Sequence, residues 1–270
     1  MRVAVVGHVE WVQFVAVDHV PKAGEIVHAR PLLEVAAGGG AVAAVQLARW
    51  GAETLLFTAL GGDAIGERSR SELIARGVQV HAVSRAEPQR RAVTLVDATH
   101  ERTIVVIGDR LVAHAADPLP WHELATCDAV YVTGGDLAAI REARRAGAVV
   151  ATSRILGDLR DASIELDALV GSDSDPTEAY IQGSLLPEPR LVVRTQGAQG
   201  GYFVSGGARR RYAATPAPMI CDTYGAGDTF AAGLTFALGE GRDPADAIDF
   251  AAARAAEVVA FQGPYPRGQT

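Results

Sequence analysis

The sequence predicts an α/β fold in which a mostly parallel sheet is covered by helices. Short apolar β-type runs recur along the 270 residues, helical periodicities alternate with them, and glycine-rich turns mark the joins. The chain is 49% hydrophobic and 21% charged, so it can bury a large core. No repeat, low-complexity tract or long linker divides it, and residues 1–270 read as a single domain.

The elements follow in order. The run from Val3 to Val6 ends at Gly7 as a buried strand, and a second strand-like run spans Trp11 to Val17. The glycines Gly38 to Gly40 open a helical stretch that stops at Gly51. "TLLFTAL" is the next strand, and the loop "GGD" hands over to a helix from about Ala64 to Arg76, closed by Gly77. Between Arg91 and Asp109 the pattern becomes a hairpin, since "AVTLV" and "TIVVI" flank the polar turn "DATHER". This hairpin and residues 8–35 are expected to lie outside the main sheet. Four short apolar runs then recur, "AVYVT", "AVVAT", "DALVG" and "LVVRT", as parallel strands joined by helices or loops. A second hairpin surrounds "SGGARRR", with Arg209 to Arg211 as a solvated rim. Asp243 as N-cap and Pro244 in the first turn start the last helix.

Composition excludes several classes. A formal net charge of −7 offers no field for nucleic acid or an anionic membrane, which leaves small molecules as partners. All basic side chains but Lys22 are arginines, which reads as codon bias. Cys127 and Cys221 are too few for a disulfide framework and fit a reducing compartment. His8, Glu10, Gln13 and Asp18 interrupt the apolar N-terminus, so it does not read as a signal peptide or membrane span, and a cytoplasmic location is expected.

Chemistry concentrates in "ICDTYGAGDTFAAGLTFALGEG", Ile220 to Gly241. Phe230, Ala231, Leu234, Ala237 and Leu238 recur at helical spacing, so a helix begins near Gly227. Gly225, Ala226 and Gly227 turn tightly and leave amides free for an anion, and the helix dipole adds about half a positive charge there. Asp228 stands in the first turn. It either offsets the dipole or takes a proton from a hydroxyl while the amides hold a transferred group.

The stretch "DTYGAGDTF" closely resembles the C-terminal signature of the ribokinase-like, or PfkB, carbohydrate kinases. The resemblance extends to "GEIVHA" at Gly24, the glycines at Gly38, "GAETLLFTALGGDAIGE", the turn "HERT", "RTQGAQG" and the final alanine-rich helix, nearly the full length. It implies a three-layer α/β/α fold with a small β lid, and phosphoryl transfer from ATP with Mg2+ to a hydroxymethyl group. By the same resemblance Asp228 is the base, and Gly225, Ala226 and Gly227 form the anion hole. Asp222 and Thr223 begin the motif near a monovalent cation, which implies K+. Thr195, Gly197 and Gly263 then lie near the nucleotide. The family also implies a homodimer through the lid as one arrangement. No Walker motif is present, so amides and arginines must hold the phosphates.

The sugar-binding pattern departs from the family. Val12 stands where relatives carry an aspartate, Gly40 and Ala43 replace polar residues, and Gly134 occupies another polar position. Unpaired sugar hydroxyls would each cost roughly 1–3 kcal/mol. Glu10, Gly38, Gly39, Gly40 and Asp136 remain as acceptor ligands, with Trp11 and Phe14 available to stack on a ring or to pack lid against core. A nucleoside or heterocyclic alcohol is thus an alternative acceptor. For the metal, "SDSDPTEAY" offers Ser172 and Asp175, with Glu178 as alternative; Asp175 is preferred as a ligand through water. A catalytically weak metabolite-binding relative is a competing class, although the complete "GAGD" argues for catalysis. A dehydrogenase is disfavoured because "YGAGDTF" lacks the third glycine of a dinucleotide fingerprint.

Overall fold

The computed structural model describes residues 1–98 and 102–266. Along the chain run β1 (Arg2–Val6), β2 (Glu10–Ala16), β3 (Arg30–Ala37), α1 (Gly39–Arg49), β4 (Glu53–Gly61), α2 (Ala64–Ala75) and β5 (Val78–Arg85). There follow β6 (Arg91–Val96), β7 (Arg102–Ile107), β8 (Ala129–Val132), α3 (Leu137–Glu142), β9 (Ala148–Thr152), α4 (Leu156–Ala162), β10 (Ala168–Ser172) and β11 (Leu191–Thr195). The chain closes with β12 (Gly201–Ser205), β13 (Ala208–Tyr212), α5 (Ala226–Gly239) and α6 (Pro244–Val258).

Among the described residues the main sheet has nine strands in the order β13-β12-β11-β10-β9-β8-β1-β4-β5. All neighbours pair in parallel except β11 with β12 and β12 with β13, so the "SGGARRR" hairpin forms an antiparallel edge. Successive side chains of β1 enter opposite layers. Val3 and Val5 join a cluster built on α1, α5 and α6, whereas Ala4 and Val6 join one built on α3 and α4. Both faces are therefore covered, and the three-layer expectation holds.

The second sheet is small, with order β3-β2-β6-β7. It contains the expected 91–109 hairpin and two strands from residues 8–37. Within the turn "DATHER", Thr99, His100 and Glu101 lie outside the described residues. β5 is an edge strand that the sequence pattern passed over. Its run "VQVHAVSR" is mostly half-buried and carries none of the continuous apolar signal of the central strands.

Packing decides the role of three aromatic and basic features. Phe14 is buried edge-on against Tyr224, 5.0 Å between ring centroids. Trp11 is buried under the Arg68 guanidinium, 4.3 Å from the ring centroid. Both join lid to core, which removes them as a platform for a ligand ring. Arg209 stacks over Tyr202 and Arg211 bonds Gln196, as a solvated rim requires.

Gln89 ties the two sheets together. It is 2% exposed; its Oε1 accepts from the Gly61 amide at 2.9 Å and its Nε2 donates to the Val9 carbonyl at 2.8 Å. Gln89→Leu would leave both backbone groups buried without partners, and each such group costs about 1–3 kcal/mol. We expect a loss of stability on the order of 2–4 kcal/mol, read as a lower urea midpoint at an unchanged slope.

Candidate active site

The site lies at the C-terminal edge of the parallel strands, where loops after β1, β8, β9 and β10 meet the starts of α1 and α5. Gly225 caps α5 with φ 77°, a left-handed conformation that favours glycine. A Cβ there would stand 3.1 Å from Val42 Cγ1 and 3.2 Å from Pro264 Cβ, so the turn is pressed against α1 and the C-terminal loop. Among the described residues no oxygen accepts the amides of Gly225, Gly227 or Asp228, and that of Ala226 makes only a long 3.3 Å bond to the Thr223 carbonyl. These amides are left free to meet an anion.

Asp222 fixes this turn. It is buried, and its two oxygens accept from the amides of Tyr224 and Gly263, each at 2.9 Å. Asp222, Thr223 and Gly263 are thereby brought to one place. From the lid, Arg102 on β7 donates to the Thr223 hydroxyl at 2.5 Å and lies 3.5 Å from Asp222 Oδ1. The lid is latched onto the start of the motif.

Gly39 shows where the acceptor side begins. A Cβ on it would sit 2.9 Å from Thr133 Oγ1, 3.1 Å from Asp228 Oδ1 and 3.5 Å from His8 Cε1. Three polar side chains converge on space that only glycine leaves open. A Cβ on Gly38, which has φ 84°, would sit 3.1 Å from Glu10 Cγ and 3.3 Å from His8 Cδ2. Glu10 is buried, accepts from Arg90 Nε at 2.6 Å and lies 3.6 Å from His8 Nε2.

Electrostatics sort these groups. Burial raises the Asp228 carboxyl above its ordinary value; Arg154 and Arg110 oppose that rise, while Glu178 and Glu10 reinforce it. Asp228 has no ion-pair partner within bonding distance among the described residues, so its carboxylate stays available as a base. His8 is pushed down to about 3, first by burial and then by the charges of Arg110, Arg90 and Arg154. It is a neutral imidazole at physiological pH, with Nδ1 buried and unbonded.

Other expected ligands do something else. Asp136 caps α3, its Oδ1 accepting from the amides of Ala139 at 2.7 Å and Ala115 at 3.1 Å, which spends it on the loop. Gly40 is a packing glycine: its amide donates to the His8 carbonyl at 3.1 Å, and a Cβ would meet Gly7 C and His8 O at 2.8 Å. Asp175, the metal ligand through water expected from the sequence, is half-buried and caps the turn Pro176–Glu178, its Oδ1 accepting from the amide and hydroxyl of Thr177. The buried carboxylate of that segment is Glu178, 3% exposed, which accepts from the Ser172 amide at 2.7 Å and from Arg154 Nε at 2.8 Å. Thr195 ends β11 beside Ser172, and Gly197 opens an exposed turn with φ 55°.

The sequence reading missed His8, Arg90, Arg110, Thr133 and Arg154. Only "GHVE" carried a local signal, a histidine and a glutamate directly after a buried strand. The arginines come from three distant loops.

With this geometry, a model of the pfkB family carbohydrate kinases matches residues 1–155 and 163–267. The chain belongs to that family. This pfkB-family kinase is similar to a ribokinase of Arabidopsis thaliana, at 25% identity over 292 positions covering 94% of the chain and 74% of that protein. Solved structures that resemble it include the ribokinase of Thermotoga maritima, 21% identical with a TM-score of 0.79, covering 98% of this chain and 94% of that one. The ribokinase of Arabidopsis thaliana complexed with ribose and ATP is 22% identical with a TM-score of 0.74, covering 98% and 95%. The adenosine kinase of Sinorhizobium meliloti is 19% identical with a TM-score of 0.79, covering 99% and 96%.

A carboxyl whose folded pKa is raised binds a proton more tightly folded than unfolded. Stability is therefore lost as pH rises through the window above the ordinary carboxylate value. Asp228→Asn removes that buried charge, so we expect its melting temperature at pH 7–8 to equal or exceed that of the parent, with the difference vanishing near pH 4 or below. Calorimetry across pH reads this directly.

Proposed function

We propose that this pfkB-family kinase transfers the γ-phosphoryl group of ATP to a hydroxymethyl group of a sugar or sugar-like small molecule. One observation supports this most: the Asp228 carboxyl, raised by desolvation and without an ion pair, stands beside the unspent amides at Gly225 and Gly227 and converges with His8 and Thr133 on Gly39. The acceptor O–H loses its proton to Asp228 as its oxygen bonds the γ-phosphorus. The bond from that phosphorus to the bridging oxygen breaks, and ADP leaves. The amides meet the charge on the transferring oxygens. Thr195, Gly197 and Gly263 border the nucleotide in this reading.

Magnesium fits the donor set. The described residues hold no cluster of three metal-ligating side chains, and Mg2+ bound to nucleotide needs only one or two carboxylates besides phosphates and water. Glu178 is the carboxylate that would hold it, and its charge would offset that of the phosphates. A K+ ion at Asp222 would share its carboxylate with two amides and Arg102, so we assign it a minor part. Trp11 and Phe14 are spent on packing, so a nucleoside acceptor would find no ring platform in them.

Residues 1–270 act as one kinase unit in this reading, and we read it as a cytoplasmic enzyme, which its two free cysteines support. Among the described residues no helix is long and apolar enough to cross a membrane. We also propose that two copies associate through the lid. β7 is its edge strand, and Ile104 to Ile107 are 42–50% exposed.

Acceptor-dependent ADP release over a panel of sugars and nucleosides tests the activity. Asp228→Asn is expected to lower turnover by about 10²- to 10⁴-fold with nucleotide binding kept. In the parent enzyme, activity should be lost toward acid, with an inflection above the ordinary carboxylate value of about 4; near-parental turnover in Asp228→Asn rejects the assignment. The same assay in potassium and tetramethylammonium buffers reads the cation. For the lid, sedimentation should show a dimer that Val105→Lys dissociates, and a monomeric parent refutes the association.

A further inference from the structure

A carboxylate taken out of water has to be paired, hydrogen-bonded or bound to a metal ion. Asp222 is 8% exposed and gives one oxygen to the Tyr224 amide and the other to the Gly263 amide. Both donors are neutral, so its charge still needs a partner. Among the described residues that partner is Arg102 of the lid, whose Nη1 stands 3.5 Å from Asp222 Oδ1 while Nη2 donates to the Thr223 hydroxyl at 2.5 Å. The same guanidinium lies 5.9 Å from the centroid of the Tyr224 ring. It thus covers Asp222, Thr223 and Tyr224 in succession, directly before Gly225.

Other lid strands press on the same clasp. A Cβ on Gly263, which has φ 74°, would stand 2.6 Å from Leu33 Cδ2 on β3 and 3.9 Å from Phe14 Cε2 on β2. Those contacts are apolar, whereas Arg102 brings charge. The clasp leads on to the cradle, because the Thr223 carbonyl is the acceptor of the Ala226 amide at 3.3 Å.

The residues at this turn do not fit a monovalent cation. Such an ion exchanges its hydration shell for several oxygens, and the oxygens here are engaged. Asp222 already meets two amides and a guanidinium, and Thr223 Oγ1 accepts from Arg102. The Val259 carbonyl behind the turn accepts from the amides of Cys221 at 2.8 Å and Asp222 at 3.2 Å. A guanidinium offers several donors in a fixed plane and keeps its charge at any working pH.

We propose that Arg102 takes the place of a monovalent cation as a positioning residue: it neutralises Asp222 and, through Asp222 and Thr223, holds the amides of Gly225 to Gly227 where they meet the transferring phosphoryl group. The effect on turnover rests on the kinase reading; the effect on the turn does not. Because Arg102 begins β7, the lid itself delivers this charge.

The test compares the full chain with Arg102→Ala and Arg102→Lys in potassium chloride and in tetramethylammonium chloride of equal concentration. Turnover, melting temperature and calorimetric ATP binding are read for each. The parent is expected to behave alike in both salts. Arg102→Ala should lose on the order of 10-fold or more in kcat in tetramethylammonium, since removing one member of a charged pair leaves the other buried and uncompensated. KM for the acceptor should move much less. Potassium should restore part of that loss and raise the melting temperature of Arg102→Ala alone, because the vacated space and the freed Thr223 hydroxyl give an ion a place at Asp222. Arg102→Lys should keep most of the turnover and stay indifferent to the salt. A parent that requires potassium, an Arg102→Ala enzyme with parental kcat, or a loss that neither lysine nor potassium reduces overturns the proposal and leaves the kinase reading intact. If no acceptor is phosphorylated yet potassium stabilises Arg102→Ala and not the parent, the role at the turn stands and the kinase reading falls. Without turnover and without that stabilisation, both fall. Arg102→Gln carries the same expectations should Arg102→Ala not fold.

Discussion

The site depends on keeping one half-buried carboxylate without giving it an ion-pair partner. Asp228 has that position because α5 starts at a left-handed glycine and carries the side chain past the turn into the space beside Gly39. An ion pair would make Asp228 easier to bury and would end its use as a base. Of the two positive charges that act on it, Arg154 is paired with Glu178, and Arg110 stays beyond ion-pair distance of Asp228.

The surrounding structure supports this arrangement by joining the two sheets. Asp222 binds the α5 turn to the C-terminal loop, Gln46 donates to the Pro264 carbonyl at 2.8 Å, and the Tyr265 hydroxyl donates to the Ala36 carbonyl at 3.0 Å at the end of β3. Phe14 against Tyr224 and Arg102 on Thr223 complete the contact from the lid side. The residues that hold the anion cradle thus also hold the lid. A change in the charge at the cradle is coupled to the lid through Arg102 without a long chain of intermediates.

Legibility followed how local the signal was. The glycine turn and its aspartate were readable because Gly225, Ala226, Gly227 and Asp228 are consecutive and their geometry follows from one helix start. The strand pattern was readable because parallel strands buried on both faces are continuous apolar runs, whereas β5, half-buried at an edge, carried no such mark. Asp136 and Asp175 both cap a turn, and a carboxylate before a helical turn looks alike in sequence whether it caps the turn or binds a ligand. Only the direction of its hydrogen bonds separates the two.

By itself, then, the sequence determined the alternating α/β architecture, the lid hairpin and the glycine turn with its aspartate, since each is set by periodicity or by backbone freedom within a few residues. Tertiary structure alone decided which polar groups gather around Gly39 and Asp228. His8, Arg90, Arg110, Thr133 and Arg154 are far apart in the chain, and electrostatic proximity between such residues exists only after the strands align their C-terminal ends. Burial likewise separated Glu178 from Asp175, because the cost of desolvating a carboxylate is a property of the folded surroundings and has no counterpart in residue order.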